Sequence, residues 1–114
     1  MINLICLNPN TNYYQKVKKM IIVNAKLPMK EEKIDEVINK AEVLINASRQ
    51  HDGNISYNLF QDVLDNCLMF FEKWESKEAL DAHMQTPEFI AFGEEIKEFV
   101  TAPLEAKIIV GEEI

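Results

Sequence analysis

The spacing of apolar residues along this chain switches between two and about three and a half, in an order that few folds accept. Residues Met20 to Leu27 (MIIVNAKL) alternate, with Ile21, Val23, Ala25 and Leu27 pointing one way and Met20, Ile22, Asn24 and Lys26 the other. Pro28 closes that strand, because it offers no N–H to a ladder. From Lys30 to about Gln50 the residues Ile34, Val37, Ile38, Ala41, Leu44 and Ile45 recur at helical spacing, with charges on the opposite face. Asp52-Gly53-Asn54 reads as a turn. Alternation returns over Ile55 to Gln61 and Leu68 to Glu75, joined by a polar hairpin at Asp62 to Asn66. Phe70, Glu72 and Trp74 share one face of the second of these strands.

The run from Ser76 to Phe89 is punctuated twice. Ser76 can cap a short helix carrying Ala79, Leu80, His83 and Met84. Thr86-Pro87-Glu88 then restarts a helix, with proline in its first position and an acid in its first turn. That helix buries Phe89, Phe92, Ile96, Phe99 and Val100 and ends at Ala102-Pro103. Leu104 to Val110 is the last strand, and Gly111 is expected to stop it. The order is strand, helix, strand, strand, helix pair, strand: a ferredoxin-like βαββαβ fold of the α+β class. Helices would cover one face of its antiparallel sheet. The other face carries apolar residues from the pairs Ile22/Val23, Phe70/Phe71 and Ile108/Ile109, and a second copy is its simplest cover. A homodimer is therefore expected.

Residues 1–19 differ from the rest: an apolar start, a loop at Asn8 to Asn12, and a polar, basic stretch from Tyr13 to Lys19. They read as an N-terminal arm on a domain spanning residues 20–114. With 114 residues, 47% of them apolar, the chain can build one core. A net charge of −7 argues against nucleic acid or an anionic membrane as partner. Cys6 and Cys67 read as free, reduced thiols, and neither stands in a zinc-binding spacing. There is no 18-residue apolar run and no signal-peptide pattern, so a cytoplasmic location is expected.

Three groups of residues together look familiar: Glu72-x-Trp74-x-Ser76, Ala79-Leu80-x-Ala82-His83 and Thr86-Pro87-x-Phe89. With Gly53-Asn54-Ile55-Ser56-Tyr57, they make roughly residues 20–111 resemble the antibiotic biosynthesis monooxygenase (ABM) family. Within it the chain looks most like the small quinol monooxygenases. The resemblance implies a dimeric α/β-barrel of two packed sheets. It also implies oxidation of a quinol-like or phenolic aromatic by O2, with no metal, flavin or other cofactor. Related branches degrade haem or act on a small phosphorylated sugar. Two positions depart from the family's pattern. Members often carry His after Thr-Pro where this chain has Glu88, and some oxygenases place Asn four residues before the Trp, where this chain has Phe70.

His83 is the first catalytic candidate, since an imidazole titrating near 6.5 can deprotonate a phenol at neutral pH. Its structural alternative is a helix-end His packed on Trp74. Trp74 and Tyr57 are candidates to line an apolar substrate pocket, or else are core aromatics. Glu72 competes with His83 as a base, or pairs with a cation on a neighbouring strand. Asn24 interrupts an apolar strand and could donate to a substrate oxygen or to a neighbouring strand. Arg49, the only arginine, is expected at the exposed end of the first helix, and His51 in a solvated loop. Two histidines without clustered acids make a poor metal site.

The leading expectation is a cofactor-independent monooxygenase with a small aromatic substrate. A haem-binding or haem-degrading member would use His83 as axial ligand. A phosphosugar isomerase would need more basic groups than Arg49. A non-enzymatic dimeric ligand-binding module predicts an interior filled by side chains.

Overall fold

A computed structural model describes residues 18–114. The expected arm falls almost wholly outside them, as does Cys6. Strand β1 (Lys18–Leu27) begins two residues before the expected domain start. After Pro28 the chain is held by two backbone bonds, Lys30 N–H to Phe99 O and Thr101 N–H to Pro28 O. The expected helix start at Lys30 is instead a 3-10 turn over Glu31–Lys33, and helix α1 runs Ile34–Ser48. It buries Val37, Ala41, Leu44 and Ser48, while Ile38, expected on that face, is 37% exposed.

Strands β2 (Asn54–Gln61) and β3 (Leu68–Trp74) form the expected hairpin. Its turn is built by Asp62, whose Oδ1 accepts from the N–H groups of Leu64 and Asp65, and by Asn66 at φ 62°. Asparagine tolerates that left-handed conformation better than most residues. Helix α2 (Lys77–His83) starts where Ser76 Oγ accepts from Ala79 N–H at 3.1 Å. Helix α3 (Pro87–Ile96) starts where Thr86 Oγ1 accepts from Phe89 N–H. It is shorter than expected: Phe99 and Val100 lie beyond its end, and Val100 bridges to Met29.

Strand β4 (Glu105–Glu113) passes straight through the glycine expected to end it, because backbone pairing outweighs the weak strand propensity of glycine. Gly111 lies opposite Met20, and a Cβ there would sit 2.9 Å from Ile22 Cδ1. The sheet order is β2-β3-β1-β4, antiparallel throughout, which is the ferredoxin-like arrangement.

One row of facing residues across the sheet reads Tyr57, Glu72, Val23, Ile108. Its neighbours Leu68, Phe70 and Trp74 pack with α1, α2 and α3 through Leu44, Leu80, Phe92 and Ile96 in a single core. The intervening residues Ile22, Asn24, Phe71 and Ile109 share the opposite face, which no helix covers among the described residues. So strand alternation assigns Ile22, Phe71 and Ile109, rather than Val23, Phe70 and Ile108, to the open side.

Candidate active site

Between the sheet and the α2–α3 hairpin, His83 is buried in an aromatic box. Its ring centroid is 4.6 Å from Trp74, 5.0 Å from Phe89 and 5.2 Å from Tyr57. Three local devices aim it there. Ser76 fixes the start of α2, so that His83 falls on the same face as Leu80 one turn earlier. Thr86 fixes the end, donating its hydroxyl to His83 O at 2.7 Å. On β3, alternation brings Trp74 and Glu72 to the helix side, and Trp74 Nε1–H donates to Glu72 Oε1 at 2.9 Å. Tyr57 stands opposite Glu72 in the β2–β3 ladder.

The structure thus gathers His83, Trp74, Tyr57 and Glu72 into one cluster. Asn24 is not part of it: it lies on the open face of the sheet, where its Oδ1 is buried with no hydrogen-bond partner among the described residues.

Two residues that the sequence did not mark for the site, His51 and Glu88, complete the arrangement. His51 is not a solvated loop residue. Its Nδ1 lies 3.0 Å from His83 Nδ1, and its Nε2 lies 2.6 Å from Glu88 Oε1. The turn carrying it is pinned on every side. His51 N–H donates to Ser48 O, Asn54 N–H donates to His51 O, and Glu75 N–H donates to Gly53 O. Arg49 also does more than end a helix: its guanidinium donates to Tyr57 O at 3.0 Å and to Asn58 Oδ1 at 2.9 Å, clipping α1 to β2. Glu88 stands where the family pattern often has histidine, and its carboxylate is met by His51. The three side chains run in a line, Glu88 to His51 to His83, from a partly exposed carboxylate into the core.

A signal for His51 exists in the chain. The β2–β3 register sets Asn54 opposite Trp74, so the loop before β2 must adjoin the segment after β3.

Burial governs the electrostatics. It pushes the Glu72 carboxyl up to about 7, against the opposing pull of the Trp74 N–H. It pushes His83 down to about 4, helped by His51 and opposed by Glu88. Burial first, then the charge of Glu72, hold the Tyr57 phenol well above its ordinary range. The hydrogen bond from His51 keeps Glu88 below the usual carboxylate range. At neutral pH His83 is therefore an uncharged imidazole, a weaker base than the 6.5 expected from the sequence because burial disfavours its charged form, and its Nε2 is buried with no partner among the described residues.

The box is sealed. His83 and Tyr57 are 1% exposed and Trp74 is fully covered. A groove of about 350 Å3 lies outside it, between α1 and α3, and Glu88 lines both the groove and the line of residues leading inward. No helix among the described residues is long and apolar enough to cross a membrane.

The profile of the antibiotic biosynthesis monooxygenase family matches residues 20–95. The chain belongs to that family. YcnE of Bacillus subtilis, whose name marks it provisionally as a monooxygenase, is 36% identical to this ABM protein over 87 residues. That stretch is 75% of this chain and 92% of YcnE. An uncharacterized protein of Synechocystis is 38% identical over 89 residues, 77% of this chain; the ABM chain spans 60% of that relative's length. Among solved structures, a conserved protein of Methanosarcina mazei superposes on the ABM chain with a TM-score of 0.79. It is 28% identical over 85% of this chain and 96% of its own.

Proposed function

We propose that this ABM protein is a cofactor-independent monooxygenase that oxidises a quinol-like or phenolic aromatic with O2, and that His83 is its base. The observation that carries the reading is the unpartnered, uncharged Nε2 of His83 inside a box of aromatic rings. A phenol held there loses its proton to Nε2. The resulting phenolate is electron-rich enough to reduce O2 directly. One oxygen atom is inserted into the ring, as the second carbonyl oxygen of a quinone from a monophenol or as the hydroxyl of a hydroxyquinone from a quinol, and the other leaves as water. Trp74 and Tyr57 supply the flat apolar walls, and Glu72 orients the Trp74 indole. Entry requires the α2–α3 hairpin to part from the sheet, since His83, Tyr57 and Trp74 are all but fully covered.

We also propose that the open sheet face, with Ile22, Phe71 and Ile109, is covered by a second copy of the chain.

Oxygen uptake with a panel of hydroquinones and polycyclic phenols tests the activity. Wild type should consume O2, and His83→Ala should lose about 10²- to 10⁴-fold in rate, the usual range for a general base. Equal rates would remove His83 from the mechanism. One observation favours a second reading: the sealed interior suits a non-enzymatic dimeric module. No uptake with any member of the panel would favour it.

A further inference from the structure

We infer that Glu88 and His51 are positioning residues that hold His83 in the tautomer with its proton on Nδ1, and that they carry the proton taken up at Nε2 outward to the α1–α3 groove. The inference rests on the reading of His83 as a base, but its geometry stands without it.

The argument starts at the outer end. A carboxylate can only accept, so the 2.6 Å contact makes His51 Nε2 the donor to Glu88 Oε1. In neutral His51 the other nitrogen, Nδ1, is then an acceptor. His83 Nδ1, 3.0 Å away, must be the donor to it. The proton of neutral His83 is thereby committed to Nδ1, and Nε2 is left as a bare lone pair facing the rings. The opposite assignment, with His51 charged and donating to His83, would leave a buried Nε2–H of His83 with no acceptor. An orphaned N–H is the rarer and costlier defect.

The rejected assignment has a use, because it is the state reached after proton transfer. The substrate O–H breaks and a bond to His83 Nε2 forms. The Nδ1–H of His83 then passes to His51 Nδ1. His83 is neutral again, and the positive charge rests on His51, against the Glu88 carboxylate. That charge would be poorly tolerated on His83, which is buried among the rings of Trp74, Tyr57 and Phe89. Glu88, near the N-terminus of α3 with about a third of its side chain exposed, releases the proton to solvent in the groove.

The experiment is long-range 1H–15N correlation spectroscopy on histidine-labelled protein, which reads the tautomer of each ring without any substrate. With two histidines in the chain, His51→Phe also assigns the spectrum. Wild-type His83 should show a protonated Nδ1 and a bare Nε2 at neutral pH. In His51→Phe the preference should be lost, with Nε2–H populated. Glu88→Leu should loosen the preference by freeing the tautomer of His51. Glu88→Gln, whose carbonyl still accepts, should restore it. A wild-type His83 protonated on Nε2, or an unchanged tautomer in His51→Phe, overturns the inference whatever the oxygen-uptake result. The expected pattern together with no oxygen uptake would uphold the control of the tautomer and sink the assigned reaction, and with it the outward passage of a substrate proton.

Discussion

Trp74 donates its indole N–H to the carboxyl of Glu72, two residues back on the same face of β3, inside the core. This bond offsets only part of the cost of burying an acid, and Glu72 titrates near 7 rather than near 4.5. Between those values the folded protein holds a proton that the unfolded chain has released. The stability this proton brings is complete below about pH 4.5 and is lost as pH rises through about 7. Glu72→Gln keeps the acceptor for Trp74 and removes the charge. Relative to wild type it should therefore gain about 3 kcal/mol between pH 4 and pH 8, read from urea unfolding at each pH.

The shift of His83 has the opposite sign. Its folded value near 4 lies below the 6.5 of the unfolded chain, so the unfolded state takes up its proton first. The stability that depends on the neutral ring is complete above about pH 6.5 and is lost as pH falls through about 4, by about 3 kcal/mol. His83→Phe fills the aromatic box without a titrating group. Relative to wild type it should therefore gain about 3 kcal/mol as pH falls from about 7 to 4, read from urea unfolding at each pH.

Gly53 holds φ at 79°, and a Cβ there would sit 2.5 Å from Ala79 Cβ. Gly53→Ala should cost about 1–3 kcal/mol from the backbone conformation alone, plus whatever the α2 contact adds. Because His51 lies two residues earlier in the same turn, the variant should also disturb the His83 ring resonances. A substitution at Gly93, where a Cβ would meet nothing within 4 Å, is the matched control.

The open sheet face gives a prediction on assembly. Ile109 is 42% exposed and lies opposite Ile22 in the β1–β4 ladder. Sedimentation should find wild type as a dimer, and Ile109→Glu should shift it to monomer by placing a charge against the partner's apolar face. A wild-type monomer at tens of micromolar would remove the dimer.

What the sequence disclosed was whatever is decided locally. Ser76 and Thr86 announce the starts of α2 and α3 because a cap acts within three residues. Alternation likewise separates Glu72 and Trp74 from Phe71. What it concealed was decided across the fold. Gly111 looks like a stop, yet the partner strand carries β4 through it. Asn24 reads as a site residue until the β1–β3 register sets it opposite Phe71, on the face away from Glu72. His51 lies 32 residues from His83 and 37 from Glu88, and no periodicity links the three.

Both side-chain contacts of His51 cross from a turn fixed to the sheet onto the α2–α3 hairpin: one reaches His83 on α2, the other Glu88 on α3. The hairpin cannot lift without parting both. If the interior opens for a guest as proposed, the imidazole is then disconnected from its outlet. The circuit closes only when the door does, so a proton has a way out only when bulk water has no way in.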